Sequence, residues 1–95
     1  MIRMASDDFN EIKKLQKDGD LIIGTSNTLK KLRQSKIAKV WLSSNVPLPV
    51  REEIMQFASM QHVPIISLEI PNEELGVICK KPFSISVVSV QVKGH

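Results

Sequence analysis

One segment combines a glycine, short polar side chains and two ammonium groups. It reads Gly24-Thr25-Ser26-Asn27-Thr28-Leu29-Lys30-Lys31. A glycine at the end of a strand lets a ligand approach the backbone, and the unpaired N–H groups at the start of a helix attract phosphate. The two lysines add an attraction that weakens with salt. The segment is therefore a candidate polyanion site, and the equal alternative is an ordinary capped helix after a strand-to-helix loop.

Positive charge is concentrated around this segment. The chain has 13 Lys and Arg against 10 Asp and Glu, a net charge of only +3 at pH 7. No acid lies between residues 24 and 51, whereas that stretch contains Lys30, Lys31, Arg33, Lys36, Lys39 and Arg51. This distribution is compatible with a polyanionic partner such as nucleic acid, but for a basic stretch taken alone the favoured interpretation is a solvated helix face.

The residue types expected of an enzyme are scarce. The chain has no tyrosine, one cysteine, Cys79, and two histidines, His62 and His95. His62 follows a predicted helix, where a cation is favourable, and Cys79 is expected to be a small buried side chain because no base is nominated beside it. These features predict no catalytic residue and no metal site. A single cysteine also fits a reducing compartment, which points to the cytoplasm.

A nucleotide-binding loop is disfavoured by the residue types. Gly19 and Gly24 have the spacing of a phosphate loop, but Thr25 and Ser26 stand where that motif requires Lys followed by Ser or Thr. The four residues between the glycines also read as a strand and not as a flexible cradle. An enzyme or small-ligand module that uses the Gly24 loop for a phosphate metabolite remains the alternative of a different class.

Eight alternating elements are predicted to position these residues. Apolar residues recur every three or four positions in the helical segments and run continuously in the strands. Helices are expected before Gly19, from Thr25, near Pro49 and from Asn72, and strands at residues 21–23, 40–42, 65–68 and 85–92. Trp41, Met55 and Met60 fall on buried runs or apolar helical stripes and are predicted to lie in the core.

This alternation predicts one domain over residues 1–95. We expect an α/β fold, a three-layer α/β/α sandwich with a mixed, mostly parallel four-stranded sheet. The last strand alternates in part between apolar and polar residues, which favours an edge position or an antiparallel direction. The apolar runs are too short to span a bilayer and no signal sequence is evident, so no membrane association is expected.

Four motifs in order resemble the successive signatures of the kink-turn RNA-binding superfamily of ribosomal proteins. They are residues 24–30, 39–47, 73–76, and Pro82-Phe83 followed by 87–90. The similarity is collinear from about Leu15 to Val92, which is most of the chain. It implies a three-layer α/β/α fold without catalysis or cofactor. It also implies recognition of RNA that has a sharply kinked bulge flanked by sheared G·A pairs.

In this superfamily three loops at one end of the sheet contact the RNA. The resemblance assigns to them Gly24, Thr25, Ser26, Asn27, Lys30 and Lys31, then Asn45, Pro47 and Arg51, then Gly76, Pro82 and Phe83. Ser26 and Asn27 stand where many relatives have Asn-Glu, so the hydrogen bonds to the guanine edges must differ. Asn45 is expected either to contact a base or to be a turn residue. Phe83 is expected either to pack on an extruded base or to be buried in the core.

The resemblance implies ribosomal RNA or other kink-turn RNA as the partner. The protein would then work in the large ribosomal subunit in the cytoplasm, beside other ribosomal proteins, and would be a monomer when free. The alternative is a non-ribosomal kink-turn binder in small guide RNA-protein particles or on an RNA leader. Rigid loops suit both, because structured RNA is recognised through shape, extruded bases and phosphates.

Overall fold

The computed structural model describes residues 5–92, with side chains from residue 8 onward. Helices and strands alternate as α1 (Ala5–Asp18), β1 (Leu21–Ile23), α2 (Thr25–Arg33), β2 (Ile37–Leu42), α3 (Leu48–Met60), β3 (Ile65–Ser67), α4 (Asn72–Ile78) and β4 (Val87–Gln91). The predicted order of elements is confirmed. The last strand is shorter than predicted because Ile85 belongs to the preceding loop, where its backbone N–H donates to the carbonyl of Asn72 at 3.0 Å.

The four strands form one mixed sheet in the order β1-β4-β2-β3. β4 is antiparallel to both of its neighbours, whereas β2 and β3 are parallel. The predicted mixed sheet is confirmed, and so is the antiparallel direction of the last strand. That strand lies inside the sheet and not at its edge, however. The prediction of a mostly parallel sheet is therefore wrong, because the central antiparallel β4 leaves only the β2–β3 pair parallel. As a result, β4 begins between the carboxyl ends of β1 and β2.

Helices cover both faces of the sheet, which confirms the three-layer arrangement. α2 and α3 pack on one face, where Leu32 and Ile54 are fully buried. α1 and α4 pack on the other face, with Ile12 and Leu75 fully buried. Residues 40–42 of β2 alternate between the two cores. This two-sided burial explains their continuous apolar sequence.

The predicted core is correct for Trp41 and wrong for the two methionines. Trp41 is fully buried, and its indole N–H donates to the carboxylate of Asp8 at 3.3 Å. Met55 and Met60 are 44% and 64% exposed. The buried stripe of α3 contains Ile54 and Ala58, so Met55 is rotated away from the sheet and Met60 lies at the end of the helix.

All four helices end in the same hydrogen-bonded turn. In each turn one residue has a positive φ, and these residues are Gly19, Ser35, His62 and Lys80. Its N–H bonds to the carbonyl three residues back, and the following N–H bonds to the carbonyl five residues back, as Lys81 does to Gly76 at 2.9 Å. This is the Schellman motif, in which glycine is the usual left-handed residue. It places His62 at a helix C-terminus, as predicted.

Candidate nucleic-acid interface

Three loops converge at the end of the sheet where β4 begins, beside the carboxyl ends of β1 and β2. Gly24, after β1, donates its N–H to the carbonyl of Val87 at 2.9 Å. Ser43, after β2, donates its N–H to the carbonyl of the adjacent Ser86, also at 2.9 Å. The third loop, residues 79–86, leads directly into these two residues. The structure thus brings together the three loops that carry the predicted site residues.

The first loop leaves the start of α2 open. Gly24 has a φ of +102°, and a Cβ added there would have no atom within 4 Å, so the glycine is required by its backbone conformation and not by crowding. Within residues 5–92, no side chain caps α2. Asn27 instead donates its Nδ2 to the carbonyl of Ile23 at 3.0 Å. The alternative of an ordinary capped helix is therefore not observed, and the first amides of α2 can meet an external acceptor.

The predicted site residues of α2 lie on its solvent side. Thr28, which lies among them in sequence but was not predicted to be a site residue, is buried, and its hydroxyl lies 2.9 Å from that of Ser89 on β4. Lys30 lies about 8 Å along the helix from Thr25, at 1.5 Å per residue, so its ammonium extends the surface beyond the loop. The exposed or partly exposed residues are Thr25, Ser26, Asn27, Lys30 and Lys31.

Asn45 joins the second loop to the start of α4. Its Oδ1 accepts the backbone N–H of Asn72 at 2.8 Å and the hydroxyl of Ser43 at 3.1 Å. Its Nδ2 lies 3.3 Å from Oδ1 of Asn72. Because α4 has no side-chain cap of its own, Asn45 supplies from another loop the acceptor that the first helical N–H needs. Pro47 is exposed and Arg51 is partly exposed beside this loop.

Asn72 is a residue of this surface that the sequence analysis missed. Its N–H and Oδ1 face Asn45, its carbonyl accepts the N–H of Ile85 at 3.0 Å, and its Nδ2 lies 3.4 Å from the hydroxyl of Ser86. All four of its polar groups therefore link the second loop to the third. An asparagine at a helix start reads in sequence as a local cap, and nothing in the sequence indicates these distant partners.

Asn72→Ala should lower the free energy of unfolding by about 1 kcal/mol, because it removes two side-chain hydrogen bonds that are only partly shielded from water. Urea denaturation measures this loss. Asn10→Ala, on the exposed side of α1, is the matched control and should change stability little. Equal effects of the two substitutions would contradict a bridging role for Asn72.

The third loop holds Phe83 in solvent. The side chain is 57% exposed, so the core alternative for Phe83 is wrong. Its backbone instead packs on α4, where a Cβ added to the buried Gly76 would lie 2.1 Å from the carbonyl oxygen of Phe83. Pro82, beside it, is also exposed. Gly76 thus allows the loop to lie flat against the helix, with the ring directed away from the core.

Cys79 lies fully buried at the start of this loop, as predicted. Burial raises the pKa of its thiol from 9.0 to about 11, against an opposing effect of the Lys81 ammonium. The neutral thiol is therefore favoured near neutral pH, as expected of a small buried side chain.

The raised pKa of Cys79 predicts a stability change in alkaline solution. The unfolded thiol ionises near pH 9.0 and the native thiol near 11, so the stabilisation is complete below pH 9.0 and is lost as the pH rises through 11. The difference in unfolding free energy between the protein and Cys79→Ala should therefore shrink by roughly 2 to 3 kcal/mol between about pH 8 and about pH 11. Urea unfolding at both pH values measures it, and a constant difference would contradict the buried thiol.

The remaining predictions concern metals and membranes. Among the described residues, no cluster of His, Cys, Asp and Glu could hold a metal ion. Of the helices that the structure describes, none is long and apolar enough to cross a membrane. His95 lies outside the described residues.

The fold and the loop cluster together define a class of small α/β/α proteins that have a polar, partly basic surface at one end of the sheet. Residues 9–95 match the Ribosomal protein L7Ae/L30e/S12e/Gadd45 family, and the chain belongs to this family. The superfamily resemblance found in the sequence is thereby confirmed.

Individual relatives agree with this assignment. The large ribosomal subunit protein eL30 of Sulfolobus acidocaldarius is 36% identical over 90% of this chain and 82% of that protein. The eL30 protein of Saccharolobus solfataricus is 31% identical over 88% and 78%. Because these relatives are ribosomal proteins, the prediction that the chain is not an enzyme is confirmed. A Giardia lamblia 15.5kD RNA binding protein shares the fold, with a TM-score of 0.79 and 18% identity over 92% of this chain and 71% of that one.

Proposed function

We propose that this protein binds RNA in the large ribosomal subunit and recognises kink-turn RNA, a bulge flanked by sheared G·A pairs. The observation that carries the proposal is that three loops meet at Ser86 and Val87. They bring the uncapped start of α2, the Asn45 loop and the exposed ring of Phe83 to the same end of the sheet. Kinship with eL30 proteins supports the ribosomal assignment.

The first loop meets the sheared pairs and the adjacent backbone. The free amides after Gly24 donate to phosphate or to a base edge. Because the Nδ2 of Asn27 already donates to Ile23, its Oδ1 is the group that faces RNA donors such as a guanine amino group. The hydroxyl of Ser26 serves as donor or acceptor. Lys30 and Lys31 neutralise phosphates farther along α2.

In the second loop, Asn45 offers a donor where Asn27 of the first loop offers an acceptor. Oδ1 of Asn45 is occupied by two protein donors, so the amide nitrogen of Asn45, with one proton still free, donates to an RNA acceptor. Pro47 shapes the loop, and Arg51 lies beside it as a phosphate neighbour. The two asparagines therefore present an acceptor and a donor to the RNA.

The third loop supplies apolar contact. The exposed ring of Phe83 packs on an extruded base, with Pro82 beside it. Gly76 acts indirectly, because it fixes the loop against α4. Binding then selects the kinked form from an RNA ensemble that also contains open forms.

A mobility-shift experiment tests the kink-turn proposal. The protein should bind a kink-turn RNA more tightly than the same duplex without its bulge, and equal affinity would contradict it. RNA recovered with the protein from its own cells tests which assembly contains it. Ribosomal RNA would support a place in the large ribosomal subunit, in the cytoplasm and beside other ribosomal proteins. In this proposal the chain is monomeric when free. Small guide RNA or an RNA leader would instead support the non-ribosomal alternative.

Lys30→Ala should weaken binding to every RNA and reduce the salt slope of the logarithm of affinity by about one unit, because one phosphate contact is lost. Binding isotherms at several salt concentrations measure the slope. Lys36→Ala removes the same charge at the opposite end of the sheet, where the carbonyl of Lys36 accepts the N–H of Val92. An equal change in both variants would mean that net charge, and not a contact of Lys30, sets the slope.

A further inference from the structure

Val77 has an unusual environment for an apolar residue. It lies within α4 and is 73% exposed, more than any other large apolar side chain that the structure describes. Leu75, two residues before it, and Cys79, two residues after it at the end of the helix, are fully buried. The helix therefore directs one valine outward between two residues of the core.

Two hollows meet at Val77. A hollow of about 340 Å³ is lined by Glu73, Val77, Lys81, Pro82, Phe83 and Ser84. A larger one, of about 470 Å³, lies between α1 and α4 and is lined by Lys13, Gln16, Lys17, Val77, Ile78 and Lys80. We call this second hollow the α1–α4 groove. Because both hollows include Val77, the surface beside Phe83 continues across α4 to α1.

The α1–α4 groove is positively charged. Three lysines and no Asp or Glu line it, and no salt bridge joins Lys13, Lys17 or Lys80 to another described residue. Lys39, in contrast, is paired with Glu11 at 3.1 Å. Lysines four residues apart on one helix face repel each other, and such a rim is complementary to a polyanion.

We propose that the α1–α4 groove is a second RNA contact, which receives a sugar-phosphate strand that continues from the base packed on Phe83. Val77 and Ile78 form an apolar floor for ribose and base faces, and the three lysines neutralise phosphates at the rim. An acidic protein segment would match the charge as well, but the direct continuation of the groove into the Phe83 hollow favours RNA. The inference rests on the proposed function and extends it to a second region of the same RNA.

Two RNAs and two double variants test this inference. One RNA is a minimal kink-turn, and the other has the same kink-turn with lengthened arms. Lys13→Gln/Lys17→Gln removes two charges from the groove, and Lys14→Gln/Lys36→Gln removes two outside its lining. We expect the longer RNA to bind the protein more tightly. The groove variant should lose this gain and reduce the salt slope for the longer RNA by about 1.4 to 1.8 units, or two phosphate contacts, whereas the control should keep both.

A third variant separates the apolar floor from the charge. Val77→Gln should weaken binding of the longer RNA without changing the salt slope. Because Val77 also lines the hollow beside Phe83, the minimal RNA should lose some affinity too, but less than the longer RNA does. If the minimal RNA binds and longer arms add nothing, or if both double variants lose affinity equally, the groove contact is wrong and the proposed function stands. If polyglutamate displaces the longer arms as well as RNA of equal charge does, the groove binds acidic protein instead. Failure of the minimal kink-turn to bind would overturn both proposals.

Discussion

Gly76→Ala should lower the free energy of unfolding by about 3 kcal/mol, the upper part of the usual range for overpacking in a core. The added Cβ would lie 2.1 Å from the carbonyl oxygen of Phe83 and 3.2 Å from its carbon. Both atoms belong to the backbone, so the clash cannot be relieved by a change of rotamer, and either α4 or the third loop has to move. Urea denaturation of the two proteins measures the loss.

Gly19→Ala is the matched control for this substitution. A Cβ there would have no atom within 4 Å, but φ is +81°, so only the strain of a left-handed residue, about 1 kcal/mol, is expected. Alanine favours a helix more than glycine by about 1 kcal/mol, and this gain would offset only a small clash at residue 76. A Gly76→Ala protein as stable as the original would therefore show that the backbone of Phe83 can move away from α4 at little cost. If the loop does move, RNA affinity should fall together with stability.

Phe83→Ala should reduce affinity for kink-turn RNA by about 1 to 3 kcal/mol, the range measured for loss of one base-stacking ring. Stability should change little, because the ring already lies in solvent. Titration of labelled kink-turn RNA measures the affinity, and urea denaturation confirms that the variant is folded.

Two variants make the Phe83 result specific. Met60→Ala removes another exposed apolar side chain, at the far end of α3, and should leave affinity unchanged. Phe83→Leu keeps apolar volume without the ring and should recover only part of the affinity if a base packs on the aromatic face. An equal loss for kink-turn RNA and for the duplex without a bulge would contradict an extruded base at Phe83.

The order of elements was predictable because both sheet faces are buried, and such burial leaves continuous apolar runs in the strands and periodic stripes in the helices. The central position of β4 was not predictable in the same way. Ser86 and Ser89 give the predicted strand segment, residues 85–92, a half-polar pattern that suggests an edge. Ser89 is nevertheless fully buried, because its hydroxyl pairs with that of Thr28, a residue of α2 that lies far from it in sequence.

The same distinction holds for the candidate site. The polar and basic residues from Gly24 to Lys30 are adjacent in sequence, so a phosphate-binding helix start could be predicted from the sequence alone. The link between Asn45 and Asn72 depends on two loops that meet only in the folded chain, and no local pattern predicts it. The orientation of Phe83 was also open, because a ring in a loop faces the core or the solvent according to where its backbone is held, and here Gly76 holds it.

The central position of β4 also has consequences for how the protein folds. Within the described sheet, β1 pairs only with β4, which follows every other strand in the chain. β1 therefore joins the sheet only after a long loop closes, and such non-local pairing slows folding. A nascent polypeptide that lacks residues 86–91 cannot anchor Gly24, which donates to the carbonyl of Val87, or Ser43, which donates to the carbonyl of Ser86. The RNA-binding surface should consequently form in one late, cooperative step of folding.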